Sequence, residues 1–184
     1  FLTTSGTGAM ESVVMNVLNN KDKVLVINGG SFGKRFLELS QLHDLDTTEI
    51  KVAFGHQIRS EQLEYFKNKG YTALLVNMHE TSSGNLYDMN LIASFCKCNG
   101  ILLIVDAISS FIADEVDMTE LNAAVVITGS QKALAVQAGV SIVALNREAL
   151  ERVKSNKEKC MYLSLKEALL NAERDSRFSS QDYK

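Results

Sequence analysis

The chain has 184 residues, of which 46% are hydrophobic and 22% charged, and this composition is ordinary for one globular domain with a sizeable core. The formal net charge of −3 gives no reason to expect nucleic acid or an anionic membrane as a partner. No apolar run approaches the roughly 20 residues that span a bilayer, and the first residues lack the pattern of a signal peptide.

The three cysteines do not form a disulfide framework. Cys96 and Cys98 are two positions apart on a predicted helix, so they point in different directions, and no nearby His or Cys completes a zinc site. Reduced thiols indicate a cytoplasmic protein. The chain starts without Met in what looks like a strand-to-helix unit and contains no proline, so we expect it to be a piece of a longer polypeptide.

Apolar patterning predicts strands that alternate with helices. The predicted elements, in chain order, are a helix over 7–20, a strand over 23–28, a helix over 32–42, a strand over 49–54, a helix over 60–70, a strand over 72–77, a polar loop over 79–85, a helix over 88–98, a strand over 101–106, a loop with a short helix over 107–122, strands over 123–128 and 140–146, and helices over 148–154 and 165–174.

Continuous runs of Val, Ile and Leu between amphipathic helices predict an α/β fold with a mostly parallel sheet and helices on both faces. Ligands bind at the carboxyl ends of the strands in such sheets. The polar residues that follow the predicted strands lie at this edge, at Asn28, 77–83, 106–110 and 128–132.

Two of these strands are followed by residues with acid–base chemistry. Asp106 closes the apolar run 101–105, and Lys132 comes shortly after the run 123–127. This pair suits pyridoxal phosphate, because the lysine would hold the aldehyde as a Schiff base and the acid would pair with the pyridinium nitrogen. Two plainer interpretations stay open: Lys132 as a solvated loop residue, and Asp106 as the N-cap of the next segment.

Three other segments offer candidate ligand contacts. The glycine-rich turn with Gly6 and Thr7 presents backbone N–H groups to a phosphate, or simply caps the first helix. Phe32, in a glycine-rich turn, either stacks on a flat ring or starts a helix as a core aromatic. The segment 79–84 supplies hydroxyl groups and His79, which is either a base or a structural histidine.

Four segments occur in the order and spacing of one enzyme family. They are Ser5-Gly6-Thr7-Gly8-Ala9-Met10-Glu11, His79-Glu80-Thr81-Ser82-Ser83-Gly84, Val105-Asp106-Ala107-Ile108-Ser109-Ser110 and Ser130-Gln131-Lys132-Ala133-Leu134. Over about residues 1–155 the chain resembles class V pyridoxal-phosphate aminotransferases, especially the branch of alanine–glyoxylate, serine–pyruvate and 2-aminoethylphosphonate–pyruvate transaminases. The resemblance implies the large domain of fold-type I enzymes and a homodimer with its sites at the subunit interface.

The resemblance also implies roles for single residues. Lys132 matches the Schiff-base lysine, and Asp106 matches the acid that pairs with the ring nitrogen. Phe32 matches the aromatic residue that stacks on the ring, and Ser82 matches a hydroxyl near its phenolic oxygen. The contacts implied for the cofactor's phosphate are Gly6, Thr7 and Gln131.

The reaction implied is transfer of an amino group from a small amino acid or amine to pyruvate or glyoxylate. Residues 1–155 would form part of the cofactor-binding large domain, and residues 156–184 a helical extension toward a small domain that this chain lacks. Two alternatives stay open: another fold-type I reaction, such as a lyase or desulfurase step, and a non-catalytic fragment or degenerate copy. No His precedes Lys132 in its motif, which weighs against a desulfurase.

Overall fold

The computed structural model describes residues 1–157 and 160–179, with side chains up to residue 174. The strands are β1 (Lys23–Asn28), β2 (Asp46–Lys51), β3 (Ala73–Asn77), β4 (His79–Glu80), β5 (Asn85–Leu86), β6 (Leu102–Asp106), β7 (Ala123–Gly129) and β8 (Ser141–Leu145). The helices are α1 (Gly6–Val17), α2 (Ser31–Leu42), α3 (Ser60–Glu64), α4 (Met89–Asn99), α5 (Arg147–Ser155) and α6 (Leu165–Ser179).

Six of the strands form one sheet in the order β2-β1-β3-β6-β7-β8. Neighbouring strands run parallel from β2 to β7, and β8 is antiparallel to β7. The predicted mostly parallel α/β sheet is therefore confirmed. Among the described residues, no helix is long and apolar enough to cross a membrane.

Helices cover both faces of this sheet. In β1, Val24 and Val26 join the core cluster of α1, α2 and α5, whereas Leu25 and Ile27 join the cluster of α3 and α4. Alternate residues of a strand point to opposite faces, so a strand covered on both faces must be apolar throughout. Each fully buried side chain of this kind contributes roughly 1.5–3 kcal/mol.

The edge strand β2 lies three residues earlier than its predicted range of 49–54. Its backbone pairs with β1 from Asp46, opposite Lys23, to Lys51, opposite Asn28. Only Ile50 is buried within the strand, because an edge strand in this position has little apolar contact to make. The register with β1, and not apolar content, therefore determines where β2 begins and ends.

Three other predicted elements were wrong. The predicted helix over 60–70 ends as an α-helix at Glu64 and continues in turns, with Asn68 in the left-handed region at φ 58°. The segment 107–122 forms turns and contains no helix. The predicted loop over 79–85 contains β4, which pairs with β5 in a short antiparallel hairpin.

Candidate active site

The carboxyl ends of the central strands bring the site together. Asn77, at the end of β3, pairs with Asp106 at the end of β6, and Asp106 also lies opposite Ile127 of β7. Asp106 is thus flanked by strands on both sides. This is the edge at which open parallel sheets bind their ligands.

A cavity of about 180 Å³ opens at this edge. Six of the seven residues predicted to bind a cofactor line it, namely Gly6, Thr7, Phe32, Asp106, Gln131 and Lys132. The other lining residues are Ser5, Met10, Arg35, His79, Thr81, Ile108 and Ser109. The fold therefore brings segments that are far apart in the sequence, from Ser5 to Lys132, around one small cavity.

Asp106 is the buried acid of this cavity. Its side chain is only 5% exposed, and its Oδ1 accepts a hydrogen bond from the N–H of Ile108 at 2.8 Å. The pKa of Asp106 is raised to about 6, mainly by burial and also by the nearby charge of Glu80, while the hydrogen bond from Ile108 and the charges of Arg35 and Lys132 oppose the rise. The ionised carboxylate therefore lies where a cationic ligand would stabilise it.

Lys132 lies in a loop that is closed on itself beyond β7. The buried Ser130 donates its hydroxyl to the carbonyl of Gln137 at 2.7 Å, and its N–H donates to the carbonyl of Val140 at 2.9 Å. The N–H of Ala135 donates to the carbonyl of Lys132 at 2.9 Å, which closes a turn next to the lysine. These bonds hold an otherwise exposed lysine at the cavity.

Helix α1 begins at the cavity wall. Ser5 is its N-cap and accepts a hydrogen bond from the N–H of Gly8 at 3.2 Å. The N–H groups of Gly6 and Thr7 belong to the first turn and have no partner within the helix. They lie at the positive end of the helix dipole, an environment that suits a phosphate.

An arginine that the sequence did not single out lies beside this helix end. Arg35 donates a hydrogen bond to Oγ1 of Thr7 at 3.0 Å, and its guanidinium lies 4.9 Å from the ring centroid of Phe32. Arginine only donates, so the Thr7 oxygen accepts this bond and its own proton is available to another acceptor. The sequence signal that could have identified Arg35 is a positive charge in the second turn of α2, one turn after Phe32.

Ser82 lies outside the cavity wall, unlike the other predicted contacts. Its hydroxyl donates to Oε1 of Glu80 at 2.6 Å and accepts a hydrogen bond from the N–H of Ser31 at 2.9 Å. The neighbouring Thr81 lines the cavity in its place, with Oγ1 2.7 Å from the hydroxyl of Ser109. Both residues lie in the turn between β4 and β5, where the two consecutive side chains point to different surroundings.

His79 also lines the cavity, and its buried Nδ1 has no hydrogen-bond partner among the described residues. Buried polar atoms are nearly always paired in folded proteins, so an orphaned ring nitrogen here indicates a ligand or water as its partner. His79 thus joins the first N–H groups of α1, the aromatic ring of Phe32, the amine of Lys132 and the buried acid Asp106. This set of groups fits pyridoxal phosphate.

Comparison with known proteins gives the family. Residues 1–174 match the profile of the family described as aminotransferase class-V. The chain is 34% identical over 169 residues to the 42 kDa subunit of a soluble hydrogenase from Anabaena cylindrica, covering 89% of this chain and 44% of that protein. It is 30% identical over 158 residues to L-aspartate–glyoxylate aminotransferase from Paracoccus denitrificans, covering 83% and 40%.

Solved structures agree with this match. The chain is 33% identical to an aspartate aminotransferase of subgroup IV from Thermus thermophilus, with a TM-score of 0.84. The match covers 95% of this chain and 49% of that one. The chain thus spans less than half the length of each of these three proteins. The family and its solved structures are pyridoxal-phosphate enzymes. The chain belongs to the class V aminotransferase family.

Proposed function

We propose that the whole protein is an aminotransferase that moves an amino group from a small amino acid or amine to glyoxylate or pyruvate. The observation that carries this proposal is that Lys132, Asp106 and the N-terminus of α1 line one cavity. The named activities of relatives support the acceptors, since one is an L-aspartate–glyoxylate aminotransferase and another a 2-aminoethylphosphonate–pyruvate transaminase.

Different residues would hold the phosphate and the ring of the cofactor. The N–H groups of Gly6 and Thr7, with the Gln131 side chain, would bind its phosphate at the helix end. Asp106 would pair with its protonated ring nitrogen, and Phe32 would stack on the ring. When bound, pyridoxal phosphate supplies an electron sink for the negative charge that develops on the substrate carbon.

Two other residues would contact the ring region. Lys132 would hold the aldehyde covalently, and its amine, when free, would act as the general base that takes the proton from the substrate carbon. Thr81, which lines the cavity, is better placed than Ser82 to donate a hydrogen bond to the phenolic oxygen. We therefore assign Ser82 an indirect role through Glu80.

Beyond the site, we propose a cytoplasmic homodimer whose sites lie at the interface. Exposed apolar side chains support the dimer, in particular Val136 and Val140 on the Lys132 loop; Ile112, which follows β6, is exposed as well. Residues 1–155 would be part of the large domain, and residues 156–184, of which 158–159 and 180–184 lie outside the described residues, would form a helical extension toward a small domain that carries the substrate-carboxylate arginine. Sedimentation of the whole protein tests the dimer.

Covalent trapping tests the proposed function directly. The protein is incubated with pyridoxal phosphate, reduced with borohydride and digested, and the labelled lysine is identified by mass spectrometry. We expect the label on Lys132, its loss in Lys132→Ala, and its retention in the control Lys34→Ala, whose amine is exposed and pairs with Glu38. A label on another lysine, or none at all, would overturn the assignment.

A further inference from the structure

Glu80 is a buried carboxylate that the proposed chemistry does not use. It is 0% exposed and lies in the hairpin strand β4, beside the cavity wall. Its Oε2 accepts hydrogen bonds from Nδ2 of Asn77 at 3.0 Å and from the N–H groups of Gly33 at 3.0 Å and Phe32 at 3.2 Å. Its Oε1 accepts two from Ser82, from the hydroxyl at 2.6 Å and the N–H at 3.2 Å.

The bonds from Phe32 and Gly33 cap the N-terminus of α2. Its N-cap, Gly30, makes no side-chain cap, so the first N–H groups of the helix need another acceptor. Glu80 provides it, and its negative charge lies at the positive end of the helix dipole. Burial alone raises the pKa of Glu80, but hydrogen bonds from Ser82, Gly33 and Asn77 outweigh it and keep the pKa below its ordinary value.

One of the residues capped by Glu80 is Phe32, whose aromatic ring forms part of the cavity wall. Phe32 donates its N–H to Glu80 and lines the cavity, where Arg35 lies over its ring. We propose that Glu80 is a positioning residue that fixes the Phe32 ring before the cofactor binds. The inference rests on the proposed function, because the flat ring that Phe32 would receive is the pyridine of the cofactor.

The chemistry of the cluster explains why a carboxylate is needed here. Among the described residues, the groups that hydrogen-bond to Glu80 are all donors, and a carboxylate accepts at both oxygens. Glu80→Gln keeps the size but replaces one oxygen with an NH2 group, which would face other donors. The substitution therefore loosens the start of α2 without opening a cavity.

Fluorescence can report on the ring directly, because the chain contains no tryptophan. Phe32→Trp introduces a single indole at the cavity wall, and its anisotropy and acrylamide quenching are measured in the cofactor-free protein with and without Glu80→Gln. We expect Glu80→Gln to lower the anisotropy and increase the quenching. In the chain with native Phe32, we expect it to weaken pyridoxal phosphate binding by about tenfold or more, as loss of a charge-assisted hydrogen bond implies.

Asp22→Asn is the matched control. Asp22 is also a buried carboxylate, 5% exposed, and accepts hydrogen bonds from Arg152 at 2.9 Å and Thr72 at 2.8 Å at the start of β1, away from the cavity. We expect it to lower the melting temperature while leaving the indole's quenching and the cofactor affinity unchanged. Equal changes in both variants, or none in Glu80→Gln, would overturn the positioning role.

Gly30→Ala keeps the proposal testable if Glu80→Gln does not fold. A Cβ at Gly30 would clash with Oγ of Ser82 and lie 2.5 Å from Cδ of Glu80, and the backbone there is extended, so the added methyl group disturbs the Glu80–Ser82 cap without changing any charge. It must reproduce the increase in quenching, and a rigid indole would contradict the proposal. If the wild-type chain fails to bind cofactor at Lys132, the proposed function fails, while the cofactor-free fluorescence still decides whether Glu80 orders the ring.

Discussion

Asp106→Asn should stabilise the cofactor-free protein at neutral pH. The carboxylate of Asp106 is 5% exposed, and no ion pair among the described residues includes it. Burial raises its pKa from 3.8 to about 6. Since one pKa unit corresponds to about 1.4 kcal/mol, keeping Asp106 ionised in the folded state costs about 3 kcal/mol.

The sign of the effect follows from proton linkage. The folded state has the higher pKa, so it binds the proton more tightly than the unfolded state does. The stabilising contribution of Asp106 is therefore fully present below its unfolded pKa and is lost as the pH rises through about 6. Asparagine does not titrate and keeps an oxygen for the N–H of Ile108, so its advantage over aspartate should grow by about 2.4 kcal/mol between pH 4 and pH 8.

Urea unfolding of both proteins without cofactor, at several pH values, measures this difference, because other titrating groups largely cancel between them. Asp22→Asn should behave in the opposite way, since removing the charge that pairs with Arg152 destabilises the fold. A difference that does not change with pH, or a less stable Asp106→Asn at pH 7, would refute the reasoning. If the whole protein is the proposed aminotransferase, the same substitution should keep the covalent bond to the cofactor but lose most turnover.

The proposed position of the substrate-carboxylate arginine outside these 184 residues, and the close approach of α2 to β1, lead to two other expectations. The 184 residues alone should show little transamination in a coupled assay, more than tenfold below the whole enzyme, because an arginine clamp contributes roughly 1.5–3 kcal/mol per charge-assisted bond; robust turnover would place the substrate site within this chain. Gly33→Ala should lower stability by about 1–3 kcal/mol in thermal unfolding, because its Cβ would lie 2.6 Å from the carbonyl oxygen of Ile27. An unchanged melting temperature would contradict that contact.

The central strands could be predicted from the sequence because a strand that is buried on both faces is a continuous run of apolar residues. Strands β1, β3, β6 and β7 are continuous apolar runs, and the structure places each close to its predicted range. The edge strand β2 and the hairpin β4–β5 have no such apolar run. Their positions depend on hydrogen bonds to partners elsewhere in the chain, which apolar periodicity does not report.

The same distinction holds for the site. Lys132 and Asp106 could be found because each follows a buried strand, where a charged group needs a chemical reason. Glu80 could not be assigned a role from its motif, since its partners Phe32 and Gly33 are 48 and 47 positions away. The difference between Thr81 and Ser82 was equally hidden, because it depends on which way each side chain of the hairpin points.

Hydrogen bonding separates the two buried carboxylates of this site. Glu80 is surrounded by donors from Asn77, Ser82 and the start of α2, so its charge is satisfied within the chain and holds structure together. Asp106, with its bond from Ile108, has its charge poorly compensated, and its raised pKa reflects that deficit. Asp106 lies on a cavity that also holds Lys132, and the fold leaves its charge largely uncompensated. We therefore propose that a cationic ligand group, such as a protonated ring nitrogen, stabilises the ionised carboxylate.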